Sequence, residues 1–269
     1  MSFYDKEKEG LTLHTSELLE KPGVVHAFTT RAGGVSRGIY ASLNLGKNRG
    51  DGEENVRENY RRVCAALGVD MGKLVFTNQV HGGLVRMVTD ADGGKGLDRP
   101  VDYQVDGLMT DMPGLVLAVF TADCIPILLF DPVATVAAAL HAGWRGTALG
   151  IARRGVEGMV SQYGCKEENI LAAIGPGISQ CCFETDADVP NAMTAAFGSA
   201  ALPFIQDRGG GKFAVDLKGL NTLWLKRAGL REGHIDISPD CTMCRHEKYW
   251  SHRYTKGERG SQAALISLT

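Results

Sequence analysis

The stretch from Leu115 to Gly150 reads LVLAVFTADCIPILLFDPVATVAAALHAGWRGTALG, and its pattern decides the fold class. Three short apolar runs, LVLAVF, PILLF and TVAAAL, have the length and composition of buried strands. The first two flank a break, TADC at residues 121–124, where an acid and a thiol interrupt apolar sequence. The third run ends at His141, and the turn after it leads into a helix that we expect Thr147 to cap and that reaches about Tyr163.

The rest of the chain supplies further strands and helices around this stretch. Residues Val24–Thr30 alternate enough to predict a strand, and KLVF, LVRMV and VDGLM read as further β-rich runs. Apolar spacing predicts helices over Glu53–Leu67, which Gly68 ends and which buries Cys64, and over Asp216–Ala228. Strands clustered between helices, without steady βαβ alternation, predict an α+β fold. We expect a single domain over residues 1–269, with layered mixed β-sheets flanked by helices.

Composition narrows the range of partners. The chain of 269 residues has 29 basic and 31 acidic side chains and a formal net charge of −2, so no broad cationic surface favours nucleic acid or anionic membrane. Small molecules are therefore the expected partners, and composition predicts no particular oligomeric state. The charged N-terminal stretch lacks the apolar core of a signal peptide, and no apolar run is long enough to span a membrane. These features predict a cytoplasmic protein.

Seven histidines and seven cysteines limit the metal chemistry. A multicopper oxidase would need on the order of ten histidines, typically in His-x-His pairs, and this sequence has no such pair. His81 in NQVHGG, Cys124 and His141 instead offer two imidazoles and one thiolate from three segments. This is the ligand set of a catalytic zinc site that keeps one position open. From the residues alone, three side chains satisfied within the core remain the commoner explanation.

The other cysteines are ambiguous. Cys241 and Cys244 form a C-x-x-C pair followed by His246, but a structural zinc needs a second pair and the sequence shows none. Two partly buried thiols in a loop are the simpler interpretation, and Cys182, after Cys181, is expected to pack against the site or the core. The glycine-rich turn RAGGVSRG lacks the lysine of a P-loop, and no GxGxxG turn occurs between a strand and a helix. Binding of ATP or a dinucleotide through these motifs is therefore not expected.

A series of motifs resembles the YfiH family, also called laccase-domain or purine nucleoside phosphorylase-like proteins. The series includes HAFTTRAGGVS, SLNLG, NVRENYRR, NQVHG, VDGLMT, TADCIPILLFD, HAGWRG, AAIGPGIS, CCFE and WSHR, and it covers almost the whole chain. The resemblance implies a YfiH-like fold, which has been likened to the CNF1-like cysteine hydrolase fold. It also implies that His81, Cys124 and His141 are metal ligands. Zinc is the expected cofactor, with copper as the alternative ion.

The resemblance further implies an activity on purine nucleosides. Family members cleave adenosine, inosine or S-methyl-5'-thioadenosine with inorganic phosphate, giving the base and a (methylthio)ribose 1-phosphate, and are reported to deaminate adenosine to inosine. Cys124 and His141 would then belong to the catalytic centre. Asp123 is the carboxylate nearest in sequence that could carry a proton, or it could serve as a structural hydrogen-bond acceptor.

Candidate substrate contacts come from the same motifs. Arg31 and Arg145 could grip phosphate, whereas Arg57 is expected to form a surface ion pair because it lies on the exposed side of a helix. Asn44 and Gln79 could bind ribose or base edges, or could cap loop backbone. The tail departs from the family pattern FSYRRDG-TGR: Arg253 matches its first arginine, but Tyr254 replaces the second. Any role assigned there is left open.

Two other functions stay open at this point. Cys124 could be a nucleophile activated by His141 in a metal-independent hydrolase. The protein could also be a non-catalytic, zinc-bearing module that binds a nucleoside, although three ligands with an open position make a poor structural site.

Overall fold

A computed structural model describes residues 3–47 and 49–269, and it confirms an α+β fold of layered mixed sheets. The predicted domain span of 1–269 also includes Met1, Ser2 and Asn48, which lie outside the described residues. The strands are β1 (Phe3–Lys8), β2 (Leu11–Ser16), β3 (Val24–Thr29), β4 (Leu74–Phe76), β5 (Val85–Met87), β6 (Gly107–Thr110), β7 (Val116–Thr121), β8 (Ile125–Asp131), β9 (Val136–Ala142), β10 (Leu171–Ile174), β11 (Glu184–Thr185), β12 (Ile205–Gly209), β13 (Lys212–Val215), β14 (Ile235–Ile237) and β15 (Gln262–Leu268). The helices are α1 (Glu53–Leu67), α2 (Trp144–Ala148), α3 (Ile151–Tyr163), α4 (Asp188–Phe197), α5 (Leu217–Arg227) and α6 (His252–Thr255).

Two six-stranded sheets pack face to face. The first has the order β1-β2-β3-β15-β7-β4, the second has the order β14-β10-β8-β9-β6-β5, and β11, β13 and β12 form a small third sheet. Helix α1 covers the outer face of the first sheet, and α3, α4 and α5 cover the outer face of the second. The layers are therefore helix, sheet, sheet and helix, and β7 leads directly into β8 where the chain crosses between the sheets.

This layering explains the continuous apolar runs in the sequence. Alternate residues of a strand point to opposite faces, so a strand covered on both faces is apolar throughout. In β8, Leu128 packs between the two sheets while Ile127 packs against the helices. In β15, Ala264 faces the second sheet while Leu265 faces α1.

The predicted helices are confirmed with one correction. Helix α1 has the predicted bounds, Gly68 ends it in the left-handed conformation (φ 72°), and Cys64 is buried beneath it. Asp216 caps α5 by accepting a hydrogen bond from the amide of Gly219. The single helix predicted to start at Thr147 is wrong, because Gly150, with φ 73°, separates α2 from α3. Thr147 lies inside α2, and its hydroxyl accepts a hydrogen bond from Asn221 Nδ2 at 2.9 Å.

Along the described ranges, no helix combines the length and the apolar character needed to cross a lipid bilayer.

Candidate active site

His81, Cys124 and His141 meet at one edge of the two sheets. His81 lies in the loop after β4, Cys124 lies at the crossing from β7 to β8, and His141 lies near the end of β9. Their ligand atoms all lie within 4.8 Å of one another, and His81 Nε2 is 3.9 Å from Cys124 Sγ. His81 is exposed, Cys124 is partly buried and His141 is buried. Two imidazoles and one thiol in this arrangement could hold a metal ion.

The backbone is unusual at His81 and at Asp123, the residue directly before Cys124. His81 has φ 59° and Asp123 has φ 94°; both lie in the left-handed region, which residues other than glycine rarely occupy. Such conformations persist only where surrounding contacts impose them. The contacts at His81 and Asp123 therefore decide how the imidazole and the thiol are presented.

Asp106 supplies the contacts at His81 and also orients His141. Its carboxylate is buried, and it accepts backbone N–H bonds from Val80 at 3.1 Å, His81 at 2.9 Å and Gly82 at 2.7 Å. The same carboxylate lies 2.8 Å from His141 Nδ1. Since an ionised carboxylate can only accept, His141 donates from Nδ1, and its Nε2 is left free to ligate. One side chain thus positions both histidines.

These contacts shift three pKa values, each in the direction that favours the charged form of the side chain. Burial alone would raise the pKa of the Cys124 thiol, but the neighbouring imidazoles of His141 and His81 lower it to about 6. Burial would lower the pKa of His141, but the Cys124 charge and the Asp106 hydrogen bond raise it to about 9. Burial also opposes ionisation of Asp106, yet the bonds from His141 and the backbone amides lower its pKa. The surroundings therefore favour a thiolate at Cys124, an imidazolium at His141 and a carboxylate at Asp106, and a metal ion bound at His141 Nε2 would displace its proton.

Gly143 leaves the space that the trio occupies. A Cβ atom built on Gly143 would lie 2.9 Å from His81 Cδ2 and 3.2 Å from Cys124 Sγ. The first distance is shorter than real Cβ contacts allow, so any side chain at this position would displace the imidazole or the thiol. The glycine of the HAGWRG motif is therefore required by the site rather than by its own backbone, whose φ of −69° suits any residue.

A cavity of about 730 Å³ opens beside the trio, and all three ligand residues line it. Its size is that of a pocket for a small molecule. The apolar part of the lining includes Phe120 and Val101, and the cationic part includes Lys47, Arg49, Arg99 and Arg259.

Arg259 is a half-buried cation of this lining. Its Nη1 donates to the Gly260 carbonyl at 2.9 Å and to Ser261 Oγ at 3.0 Å, while its buried Nε has no hydrogen-bond partner among the described residues. Burial lowers the pKa of this guanidinium to about 10. Arg259 therefore adds a half-buried positive charge to the cavity lining, and such a charge favours an anion there.

Gln79 lies at the cavity as expected, but its amide holds the loop. Its Nε2 donates to the Phe120 carbonyl at 2.8 Å, and its Oε1 accepts from the Phe120 amide at 2.7 Å and from Thr77 Oγ1 at 2.9 Å. This pairing ties the loop that carries His81 to the end of β7. These bonds leave the Gln79 amide few hydrogen-bonding positions for a substrate.

Three other expected substrate contacts do not line this cavity. Arg31 donates to the carbonyls of Ala41 and His246 and stacks 4.1 Å above the Trp250 ring. Asn44 is fully buried, and it bonds Asp51 and the amides at 46 and 261. Arg145 is exposed and stacks on Trp144.

Asp123 is likewise absent from the cavity lining that the structure describes. Its Oδ1 accepts from Thr242 Oγ1 at 2.6 Å, and its Oδ2 accepts from the Arg253 amide at 2.7 Å. The carboxylate is only 8% exposed, and both oxygens are occupied. Of the two roles considered from the sequence, this geometry favours the structural acceptor. The expected surface ion pair of Arg57 is present, with Asp98 at 2.7 Å.

Sequence reasoning missed Asp106 and Arg259. Asp106 comes directly before the apolar residues of β6, just as Asp123 lies between β7 and β8, so an acid at the end of an apolar run was the available signal. Arg259 lies in the tail, in the segment GERG, where the sequence departs from the pattern used for comparison. No local signal there pointed to the cavity.

The structure also corrects the interpretation of the remaining cysteines. Cys181 and Cys182 lie beside Cys241 and Cys244, and the four sulfur atoms all lie within 4.8 Å of one another. The second pair that a C-x-x-C motif requires is therefore present, although it is far away in sequence. His246 is not part of this group; it stacks on Tyr254 with ring centroids 3.5 Å apart.

Comparison with known proteins agrees with this architecture. A family model described as "Multi-copper polyphenol oxidoreductase laccase" matches residues 25–269. A protein named purine nucleoside phosphorylase from Deinococcus radiodurans is 41% identical over 254 residues, covering 93% of this chain and 92% of that protein. The purine nucleoside phosphorylase YlmD of Geobacillus stearothermophilus is 38% identical over 250 residues, covering 91% and 90%.

Solved structures show the same fold. The crystal structure of the hypothetical protein YfiH from Bacillus licheniformis has a TM-score of 0.93 at 33% identity and covers 99% of both chains. That of YlmD from Geobacillus stearothermophilus has a TM-score of 0.92 at 34% identity and covers 100% of this chain and 99% of that chain. The protein therefore belongs to the YfiH or laccase-domain family.

Proposed function

We propose that this protein is a zinc-dependent purine nucleoside phosphorylase. Its substrates would be inorganic phosphate and adenosine, inosine or S-methyl-5'-thioadenosine, and its products the free base and a (methylthio)ribose 1-phosphate. The observation that carries the proposal is the convergence of His81, Cys124 and His141 at the wall of a cavity that also presents arginines. The names of the relatives supply the substrate class.

The donor chemistry fits zinc. Two neutral imidazoles and a thiolate are ligands that zinc accepts in catalytic sites, and Asp106 holds His141 with one ring nitrogen outward. When bound there, zinc would supply Lewis-acid polarisation of the substrate at the cavity wall. Copper is the alternative ion, but the seven histidines of the sequence are few for a multicopper oxidase.

The cationic wall would hold the phosphate. Arg49, Arg99 and Arg259 line the cavity, and Lys47 beside them donates from Nζ to two carbonyls, at residues 96 and 97. During phosphorolysis a phosphate oxygen forms a bond to the anomeric carbon as the bond from that carbon to the purine nitrogen breaks. The purine leaves with the electron pair and takes up a proton. Arg259 would align the phosphate, and the apolar wall with Phe120 would hold the rest of the nucleoside away from water.

Asp123 would act as a positioning residue. Its two hydrogen bonds hold the left-handed conformation that directs the next residue, Cys124, toward the histidines. A direct proton transfer from its carboxylate would first require one of these bonds to break. Arg31 and Asn44 would similarly support loops rather than touch substrate.

Product analysis with and without phosphate tests the activity. We expect purified protein given adenosine and phosphate to release adenine and ribose 1-phosphate, and to release no adenine without phosphate. Deamination, proposed as a second activity of the same site, would give inosine in both mixtures. Cys124→Ala should abolish turnover, whereas Cys64→Ala, in the buried face of α1, should retain it. Release of adenine at the same rate with and without phosphate would contradict the proposal, and so would full activity in Cys124→Ala.

One observation keeps a metal-independent hydrolase as the second candidate. Asp106, His141 and Cys124 form a chain of acid, base and thiol that could activate a nucleophile. Elemental analysis combined with thiol alkylation separates the two functions. Stoichiometric zinc that protects Cys124 from iodoacetamide until a chelator is added supports the phosphorylase; rapid alkylation of metal-free, fully active protein supports the hydrolase. Adenosine binding without any product would instead indicate a non-catalytic nucleoside-binding module.

A further inference from the structure

A cluster of four cysteines lies outside the cavity. Cys181 and Cys182 follow β10, and Cys241 and Cys244 follow β14. Cys182 Sγ lies 3.3 Å from Cys244 Sγ, and Cys181 Sγ lies 3.7 Å from Cys182 Sγ and 3.6 Å from Cys244 Sγ. Cys241 is buried, Cys181 and Cys244 are exposed, and no disulfide joins any of them.

The sulfur spacing fits one central ion. A disulfide brings two sulfurs to about 2.05 Å. Four thiolates around a tetrahedral zinc, with bonds of about 2.3 Å, lie about 3.8 Å apart. The three separations among the sulfur atoms of Cys181, Cys182 and Cys244 are close to the second value, and Cys241 completes the set.

Neighbouring groups give the cluster a backbone hydrogen bond and a nearby positive charge. The Ser179 amide donates to Cys241 Sγ at 3.4 Å. Lys218, only 6% exposed, adds a buried positive charge near the cluster and is held by the carbonyls of Ser238 and Asp240 at 2.8 Å each.

We propose that Cys181, Cys182, Cys241 and Cys244 form a second metal site that binds a structural Zn²⁺ ion. Four protein thiolates complete a tetrahedral shell, so this site has no open position for substrate. It is separate from the trio at the cavity, and it does not depend on the proposed phosphorylase activity.

The contacts indicate what this ion would stabilise. Both cysteine-bearing segments hold Asp123: the Ile178 amide donates to its carbonyl at 2.8 Å, and Thr242 Oγ1 donates to its carboxylate. The two segments also pair with each other, since the Thr242 amide donates to the Gly177 carbonyl at 3.2 Å. An ion joining the segments would therefore secure the backbone directly before Cys124.

Zinc content of matched variants tests the proposal. If both sites bind zinc, we expect two ions per chain in the unmodified protein, one in Cys244→Ser, one in Cys124→Ser and two in the control Cys165→Ala. If only the cluster binds zinc, the unmodified protein and Cys124→Ser each hold one ion and Cys244→Ser holds none. That second result would remove zinc from the proposed active site while supporting this inference. Equal zinc in Cys244→Ser and the unmodified protein would overturn it.

Two further measurements distinguish loss of a zinc site from misfolding of the variant, and zinc binding from a disulfide or an iron site. Cys244→His offers an imidazole in place of the thiol, so it should recover the zinc that Cys244→Ser loses, together with the lost thermal stability. Cobalt added to metal-free Cys124→Ala should give intense thiolate-to-cobalt absorption from the cluster. Absence of that absorption, a disulfide found by mass spectrometry of freshly purified unreduced protein, or iron in place of zinc would each contradict a zinc site.

Discussion

Asp106 accepts four N–H bonds with two oxygens, and this makes it the residue on which the geometry of both histidines depends. Oδ2 takes the amides of Val80 and Gly82, while Oδ1 takes the His81 amide and His141 Nδ1. A carboxylate that orients a ligating histidine in this way usually contributes strongly to metal affinity.

We expect Asp106→Asn to weaken zinc binding at the trio by about 10- to 100-fold, since its amide would replace one acceptor with a donor that faces N–H groups. Competition with a chelator of known affinity measures the effect in protein whose cysteine cluster is intact. Asp98→Asn, which removes an exposed partner of Arg57, is the control and should bind zinc normally. Unchanged affinity in Asp106→Asn would show that the histidines are oriented by other contacts.

Arg259 is the cavity residue that we expect to bind phosphate. A hydrogen bond to a charged group contributes about 1.5–3 kcal/mol, so Arg259→Gln should raise the KM for phosphate by about 10- to 150-fold. The KM for the nucleoside should change much less. Arg231→Gln removes an exposed arginine paired with Glu168 at 2.9 Å and serves as the control. A rise confined to the nucleoside KM would move the phosphate contact elsewhere.

Strand β3 carries a buried histidine whose ionisation matters for stability. His26 is 5% exposed, and its Nε2 accepts the Ser16 amide at 3.1 Å. Burial lowers the pKa of His26 to about 4, with Glu20 raising and Lys6 lowering it to smaller extents. The folded protein therefore keeps this imidazole neutral under conditions where the unfolded chain protonates it.

The corresponding prediction concerns acid stability. The contribution of His26 is fully present above about pH 6.5 and is lost as the pH falls from about 6.5 to about 4, because the unfolded chain binds the proton first. A shift of this size corresponds to about 3 kcal/mol. His26→Gln keeps an acceptor for Ser16 but does not titrate, so its free energy of unfolding should fall less over this range. Parallel curves for the two proteins, from urea unfolding at each pH, would argue against the assignment.

Local sequence patterns predicted most strands and helices around the site, but not which distant segments contact one another. The bounds of α1 followed from apolar spacing and a terminal glycine, and the strand runs from Leu115 to Ala142 followed from composition. The helix break at Gly150 was missed because one glycine within a helical pattern is often tolerated. The partnership of Cys181 with Cys244 was missed because the parallel bridge between Gly177 and Cys241 joins segments far apart in the chain.

At the scale of the whole molecule, the last strand occupies a central place in the first sheet. β15 pairs with β3 on one side and with β7 on the other, both antiparallel. Its alternate faces contribute to two core layers, including Leu265 and Ile266. This strand was not among those predicted from the sequence, and its central position depends on contacts between distant segments that local patterns do not reveal.

We therefore expect a chain that ends at Gly260 to lack a cooperative thermal transition by circular dichroism. Removal of β15 would leave β3 and β7 without the strand that pairs with both. A chain starting at Glu9 lacks only β1, at the edge of the sheet, and should keep a cooperative transition at a lower temperature. A normal transition in the Gly260 truncation would mean that β15 adds little to the fold.

Gly143 has a consequence for the kinetics of ion exchange. The space in which a side chain of residue 143 would lie is taken up by the His81 ring and Cys124 Sγ, and all three donors line the cavity, so we expect an ion held by them to exchange through the cavity. A nucleoside in that cavity would obstruct the route. A chelator should therefore strip this ion more slowly when inosine is present, while release from the cysteine cluster should keep its rate. Equal rates with and without inosine would mean that the exit lies elsewhere.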